Sequence, residues 1–120
     1  MRARRVGLVV IATVAGLGSS LAAGRLAPAD IKAAFFTGQA FTAATPSGVK
    51  YKMTYAADGK MTREPVGRAG GKSEGAWTLS KDGFCTTWKG SQPNCYTLVS
   101  SGDNRWSVMK GSGLMAVWTK

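Results

Sequence analysis

The feature that most constrains the fold is a series of short β-type segments, joined by tight glycine-bearing turns, that runs from residue 39 to the C-terminus. The clearest segment is Val49–Ala56, in which apolar side chains alternate strictly with lysine and threonine. Such alternation is typical of an antiparallel strand with one buried face and one solvated face. No helical crossover separates the segments, and parallel strands need one. The sequence therefore predicts a mainly β domain, an antiparallel meander curled into a small open barrel or a sandwich.

One short helix is predicted before the strands, at Pro28–Thr37, with a proline in the first turn and Gly38 as the stop signal. Phe35 lies on its apolar face, and Phe36 lies beside that face, where we expect it to be half exposed. We expect the helix to cover an edge or an open end of the sheet, which limits edge-to-edge aggregation. The predicted strands are Gln39–Ala44, Val49–Ala56, Lys60–Val66, Glu74–Ser80, Phe84–Lys89, Cys95–Ser100, Arg105–Met109 and Leu114–Thr119.

The N-terminal segment Met1–Gly24 has the organisation of a secretory signal: three arginines, the apolar run Val6–Leu17, and small residues at the end. These small residues allow cleavage after Ala22 or after Gly24. The alternative is an uncleaved membrane anchor, but an apolar run of about 12 residues is shorter than the roughly 20 that a spanning helix needs. We predict export to the periplasm or the extracellular space, with no transmembrane segment after cleavage. Residues 25–120 then form a single small β-rich domain.

Two cysteines, Cys85 and Cys95, flank a predicted turn at Gly90–Asn94. If the hairpin is centred on that turn, the cysteines face each other across adjacent strands at a separation that a disulfide bridges. Export provides the oxidising compartment in which disulfides persist. A redox pair needs closer spacing, and a zinc site needs more ligands. We therefore predict a structural disulfide, which suits a domain too small to rely on its core alone.

Histidine is absent from the whole chain, which excludes Ser-His-Asp catalysis, Cys-His catalysis and His-ligated metal sites. Four of the six acidic residues stand in turns or in the first turn of the predicted helix. The other two, Glu64 and Glu74, are a weak basis for a two-carboxylate glycosidase. No Gly-rich phosphate loop follows a strand. We predict no catalytic residues, no metal site and no cofactor, and we expect that the protein is not an enzyme.

The domain is basic, because residues 25–120 carry 13 basic and six acidic residues, a net charge of +7. Lys50 and Lys52 share the solvated face of one predicted strand, and the next basic residues along the chain extend that patch. A positive field attracts polyanions, so anionic lipids or glycans of the cell envelope are the candidate partners. The alternative is a generic solvated surface, and nucleic acid is not expected in an exported protein. The candidate polyanion-binding residues are Lys50, Lys52, Lys60, Arg63, Arg68 and Lys72.

Four tryptophans occur, one in each of four predicted strands. Their simplest role is to enlarge the core of a small domain. The alternative role is an aromatic platform on which a sugar or a base stacks. Trp88 is the best candidate for such a contact, because it lies on the Phe84 and Thr86 side of its strand, opposite Cys85.

Five short motifs follow one another along the domain: Ala29-Asp30-Ile31-Lys32, Tyr55-x-x-Asp58-Gly59, Gly75-x-Trp77, Cys85-x-x-Trp88 and Cys95-Tyr96. In the order and spacing of these motifs, the chain resembles a group of small exported bacterial proteins of uncharacterised function. The likeness extends over most of the domain. It implies a β-rich fold and the disulfide, and it implies no activity and no residue role. The segment Arg63–Lys72 departs from the pattern, because it is longer and more basic than the tight link expected there.

Two classes of function stay open. The first is an exported binding or interaction module of unknown specificity, which contacts anionic components of the cell envelope. The alternative is a small-molecule carrier of the lipocalin type, which requires an apolar interior cavity, and 96 residues are few for a barrel that also holds a ligand. A hydrolase inhibitor and an enzyme are distant alternatives. A positively charged inhibitor would be repelled by lysozymes, which are typically basic.

Overall fold

The computed structural model describes residues 24–67 and 69–120. The signal predicted at residues 1–24 lies, apart from its last residue, outside the described residues, and so does Arg68. The described residues form one short helix and eight strands, which confirms the mainly β fold class. The helix of the described residues is not long and apolar enough to cross a membrane. The elements are α1 (Pro28–Phe35), β1 (Ala40–Ala44), β2 (Lys50–Tyr55), β3 (Lys60–Pro65), β4 (Ser73–Leu79), β5 (Phe84–Trp88), β6 (Asn94–Gly102), β7 (Arg105–Lys110) and β8 (Gly113–Thr119).

The strands form a closed barrel in which each strand pairs antiparallel with its neighbours in sequence. The predicted antiparallel meander is confirmed. The structure also defines how the sheet ends, because β1 pairs with β8 through Thr42↔Thr119 and Ala43↔Trp118. This closure pairs the two outer strands of the meander with each other, so neither is left as an unpaired edge.

The two ends of the barrel differ. At the closed end, where β2, β4, β6 and β8 finish, the opening is covered by α1. Ile31, Phe35 and Phe36 are each at most 1% exposed and belong to the core of the barrel. The ring of Phe35 packs 4.8 Å from that of Trp106 and 5.0 Å from that of Trp118. The opposite end, where β1, β3, β5 and β7 finish, is called the mouth below.

Phe36 is fully buried, so the expectation that it is half exposed is wrong. The helix ends at Phe35, and the backbone of Phe36 leaves the helical conformation, with φ −100° and ψ 52°. Its ring enters the core, where it stacks 4.7 Å from Tyr55 and lies 4.4 Å from Trp77. The angular position of a residue on a helix does not predict this burial, because Phe36 is no longer part of the helix.

The segment before α1 adds to the sheet. Residues 24–26 pair with residues 98–100 of β6 through backbone hydrogen bonds of 2.7 and 2.8 Å and an antiparallel bridge at Arg25↔Val99. On this same edge, β6 pairs with β5 only between Asn94 and Tyr96, because its other edge pairs with β7. The N-terminal segment therefore occupies the part of the β6 edge that β5 does not reach.

Cys85 and Cys95 are directly opposed in the β5–β6 ladder, with Cα atoms 3.9 Å apart, and they form the predicted disulfide. The neighbours of Cys85 on β5, Phe84 and Thr86, are buried, whereas Cys95 is exposed. Alternate residues of a strand face opposite sides of the sheet. The disulfide therefore lies on the outer wall of the barrel, where it reinforces a ladder of three residue pairs.

Candidate ligand site in the barrel mouth

A cavity of about 220 Å³ lies inside the barrel, on the mouth side of the aromatic core. It exists because the inward-facing residues change in size along the barrel. Toward the closed end they include Phe36 and Phe84, whereas Ala43, Thr86 and Ala116 line the mouth side and leave the barrel axis unfilled. The residues lining this space, called the barrel cavity below, are Ala43, Thr45, Tyr51, Met53, Tyr55, Arg63, Thr86, Trp88, Tyr96, Val108, Met115, Ala116 and Trp118.

Arg63 of β3 points into the barrel. It lies directly opposite Met53 of β2, and directly opposed residues of an antiparallel pair lie on the same face of the sheet. Met53 is 6% exposed, and Met61, two residues before Arg63, is 2% exposed, so this face is the inner one. Arg63 is partly buried there. Among the described residues, it is the only charged residue that lines the barrel cavity.

Two aromatic rings flank the guanidinium of Arg63. Its Cζ atom lies 4.4 Å from the ring centroid of Trp88 and 5.1 Å from that of Tyr51. Cation–π contacts of this kind contribute about 0.5–2 kcal/mol, and more as water is excluded. The rings stabilise the positive charge, but a ring face is not a conventional acceptor for the five N–H donors of the guanidinium. Those donors therefore stay available to a ligand.

Trp88 occupies its position because the residue opposite it has no side chain. Gly75 of β4 pairs with Trp88 of β5. A Cβ atom at Gly75 would lie 3.0 Å from Cε3 of Trp88 and 2.7 Å from a backbone oxygen of β5. The indole therefore packs over Gly75 as well as against Arg63. The motifs Gly75-x-Trp77 and Cys85-x-x-Trp88 meet at this point of the barrel wall.

Five hydroxyl-bearing residues line the barrel cavity: Thr45, Tyr51, Tyr55, Thr86 and Tyr96. The hydroxyl of Thr45 is engaged with Ser47 and with the backbone N–H of Val49. Tyr55 is 2% exposed and Thr86 is 4% exposed. Burial raises the pKa of the Tyr55 phenol, Tyr96 raises it further, and the positive charge of Arg63 acts in the opposite direction. The Tyr55 hydroxyl therefore lies within electrostatic reach of both side chains and stays protonated at neutral pH.

Several polar groups around the barrel cavity lack a hydrogen-bond partner within the described part of the protein. Among residues 24–67 and 69–120, none of the side-chain hydrogen bonds involves Arg63 or the hydroxyls of Tyr55, Thr86 and Tyr96. Most buried polar groups in folded proteins do have a partner. By contrast, the indole N–H of Trp77 in the core donates to a backbone carbonyl at 2.8 Å. The cavity therefore combines an apolar wall with several unpaired donors that converge from different strands.

A wider vestibule of about 530 Å³ lies outside the barrel cavity, at the mouth. Lys72 and Lys89 are among its lining residues, and it shares Arg63 and Trp88 with the barrel cavity. The stacked pair therefore forms the boundary between the interior and the vestibule. A ligand that reaches the cavity from the vestibule passes this pair.

Charge is distributed unevenly between the two ends. All four aspartates lie at the closed end, in α1 or in the turns between strands, at Asp30, Asp58, Asp82 and Asp103. The exposed cations toward the mouth are Lys50, Lys52, Lys72, Lys89 and Lys110. Two glutamates, Glu64 and Glu74, are the acidic residues of that half. The closed end also carries exposed cations, among them Lys60, Lys81 and Arg105, but its aspartates offset more of that charge. Among the described residues the net positive charge is therefore larger at the mouth, which attracts anions.

Four of the six predicted polyanion-binding residues are exposed lysines, but they do not form one surface. Lys50 and Lys52 lie together on the outer wall of β2. Lys72 is exposed just before β4, at the mouth, whereas Lys60 is exposed at the closed end of β3. The structure therefore brings Lys50 and Lys52 together and places Lys60 at the opposite end of the barrel from Lys72.

The other two predicted polyanion-binding residues are Arg63 and Arg68. Arg68 lies outside the described residues, and Arg63 is inside the barrel rather than on the solvated face. The sequence contains a signal for the position of Arg63, because Met61 and Arg63 are two residues apart and so share one face of β3. The prediction that Arg63 lies on the solvated face follows from its charge alone and ignores this alternation. Trp88, the predicted aromatic contact residue, is half-buried at the mouth and in contact with Arg63.

No family model matches this chain, and neither a characterised protein nor a solved structure is significantly similar to it. The resemblance of its motifs to small exported bacterial proteins stays a prediction.

Proposed function

We propose that the protein is a binding protein that holds a small molecule in the barrel cavity, in the manner of a carrier. The observation that supports this most directly is the inward-facing Arg63. A partly buried guanidinium without an anionic partner costs free energy, and an apolar side chain would complete the barrel without that cost. Small-molecule sites combine an apolar, aromatic wall with a few convergent polar groups, and the barrel cavity has this composition.

The volume of the cavity limits the ligand. About 220 Å³ is below the roughly 300–1,000 Å³ of pockets that hold drug-sized molecules. The cavity therefore suits a molecule about the size of one substituted aromatic ring. The vestibule gives a longer molecule room to extend toward solvent.

We also propose that the protein acts outside the cytoplasm, in the periplasm or the extracellular space. The signal sequence of residues 1–24 and the Cys85–Cys95 disulfide support this location. A binding role without catalysis is consistent with a chain that contains no histidine.

Filling the cavity tests the proposed function. Ala116 of β8 lines the barrel cavity and pairs with Val108, so Ala116→Leu adds three carbons to that space. We expect the variant to fold with a loss of about 1–3 kcal/mol in the free energy of unfolding and to lose small-molecule binding. Ala76→Leu is the matched control, because Ala76 is exposed on the outer wall of β4.

The measurement is two-dimensional NMR with a set of small aromatic acids, amides and alcohols. We expect shifts of the Trp88 indole and Met53 methyl signals in the parent protein and in Ala76→Leu, and none in Ala116→Leu. Shifts confined to the outer wall, or shifts that persist in a folded Ala116→Leu, would contradict the proposal.

A second candidate function is contact with anionic lipids or glycans of the cell envelope, by way of the mouth. It is supported by the exposed lysines of the mouth half and by the position of all four aspartates at the other end. Binding to anionic and to neutral vesicles at increasing salt tests it. Absent or salt-insensitive binding is the result against it.

A further inference from the structure

We infer that the ligand of the barrel cavity is a small organic monocarboxylate, whose carboxylate pairs with Arg63 and the neighbouring hydroxyls while its apolar body lies against the aromatic wall. This inference rests on the proposed function and specifies the chemical class of the ligand. The charge of the cavity, its hydrogen-bond donors and its shape support this inference.

The charge of the cavity matches a single negative charge. Arg63 is the one cation that lines it, and no acidic residue of the described chain lines it. A neutral ligand would leave the guanidinium without a counter-ion in a space that the ligand has emptied of water. A dianion such as a phosphate monoester would bring a second negative charge that no lining residue balances. A monocarboxylate leaves neither charge unpaired.

The donors of the cavity also match a carboxylate. A guanidinium presents paired N–H donors at the spacing of the two carboxylate oxygens, and such bidentate pairs are short and strong. The contacts of Arg63 with Trp88 and Tyr51 are to ring faces and use no acceptor. Tyr55 and Thr86 are each more than nine-tenths buried, and their hydroxyls have no partner among the described residues. They supply further donors to carboxylate lone pairs that the guanidinium leaves free.

The rest of the wall accommodates an apolar body. Met53, Val108 and Trp118 are buried and line the cavity, and the exposed Met115 lines it from β8 near the mouth. These side chains offer no charge to a second polar group of the ligand. The volume of about 220 Å³ admits one ring or a short branched chain beside the carboxylate. The positive mouth raises the local concentration of such anions and steers them inward.

The test compares benzoate with benzamide, which has the same shape and no charge. Titration calorimetry and NMR on the purified protein should show benzoate binding in the barrel cavity at least about tenfold more tightly than benzamide. Arg63→Met should remove this preference. Lys52→Met is the matched control, because it removes one positive charge from the exposed outer wall of β2 and should keep the preference.

Tyr55→Phe provides a second, milder variant that does not depend on Arg63→Met folding. It removes one hydroxyl and keeps the ring that packs against Phe36. We expect benzoate affinity to fall about ten- to a hundredfold, in the range of one lost hydrogen bond to a charged group. Unchanged benzoate affinity in Tyr55→Phe, or an unchanged preference in a folded Arg63→Met, would overturn the inference.

The outcomes separate this inference from the proposed function. If benzamide binds in the cavity as tightly as benzoate, the cavity binds small molecules and the carboxylate assignment fails. If phenyl phosphate binds more tightly than benzoate, the ligand class is a phosphate ester and the monocarboxylate assignment fails. If no probe of any charge shifts the cavity signals, the proposed function fails and this inference fails with it.

Discussion

Gly75 shows how one residue without a side chain positions a functional one. The indole of Trp88 packs over Gly75, and the guanidinium of Arg63 packs against that indole. Each position alone has an ordinary interpretation: a glycine in a strand, a tryptophan in a core, an arginine on a surface. Their mutual placement across β3, β4 and β5 turns them into one stack at the edge of the barrel cavity. The alternation of Met61 and Arg63 predicts that both face inward, but no local signal says that Trp88 lies beside them.

We predict that the single substitution Gly75→Ala lowers the stability of the domain and weakens ligand binding in the barrel cavity. The added Cβ would approach Trp88 Cε3 to 3.0 Å and a backbone oxygen to 2.7 Å, so the strands or the indole must move. We expect a loss of about 1–3 kcal/mol in the free energy of unfolding and weaker benzoate binding. Urea unfolding followed by tryptophan fluorescence measures the first effect. Gly71→Ala is the control, because a Cβ there meets nothing within 4 Å; equal effects of the two substitutions would refute the role given to Gly75.

Among the secondary-structure elements, the β5–β6 hairpin depends strongly on the disulfide. These two strands share three paired residues, and one of those pairs is Cys85↔Cys95. The turn signals between them predict the hairpin, and the spacing of the cysteines predicts the register. The helix α1 is a contrasting element, since its start is clear from Pro28 but its last aromatic residue, Phe36, turns into the core after the helix has ended.

Removing the disulfide should destabilise the domain without reshaping the cavity. In the chain-entropy description, closing a loop of about 11 residues stabilises by about 3 kcal/mol. We expect the double variant Cys85→Ser with Cys95→Ser to lose about 2–4 kcal/mol of unfolding free energy. It should keep its preference for benzoate over benzamide at temperatures where it is folded, because the disulfide lies on the outer wall. The parent protein with reductant should reproduce the variant; an unchanged urea midpoint in both would contradict the prediction.

At the scale of the whole molecule, the closed barrel gives the two ends different roles. The closed end holds the aromatic core, α1 and every aspartate, whereas the mouth holds the cavity, the vestibule and the lysines of the mouth half. Both ends carry exposed cations, but the aspartates reduce the net positive charge of the closed end, so the field is stronger at the mouth. Such a field favours approach of anions from one side, which both the proposed carrier function and the envelope contact require.

A charge-matched pair of triple variants tests this directionality. Replacing Lys72, Lys89 and Lys110 by Gln should weaken binding to anionic vesicles and flatten its dependence on salt. Replacing the closed-end cations Lys60, Lys81 and Arg105 by Gln removes the same total charge and should have a smaller effect. Vesicle sedimentation measures binding of both triple variants at roughly 50–300 mM salt, a range over which the Debye length falls by more than half. Equal losses in the two variants would show that net charge, and not the mouth, attracts the vesicles.

Much of the fold follows from the sequence because its signals are local. Alternation in Val49–Ala56 predicts a half-buried strand, glycine-bearing turns predict antiparallel neighbours, and the spacing of Cys85 and Cys95 predicts their register. The helix near Pro28 and the mainly β class follow from the same kind of signal. Each depends on residues a few positions apart, where geometry is set by the chain itself.

The remaining features of the molecule depend on contacts between residues far apart in sequence. Closure of the barrel requires β1 to meet β8, which no local pattern specifies. That closure converts the inner face of β3 from a sheet surface into the wall of a cavity, and so changes Arg63 from a candidate surface cation into an interior one. The sequence determined which residues form strands and which faces they share. The curvature that closes those strands on each other determined which face is enclosed, and with it the location of the candidate site.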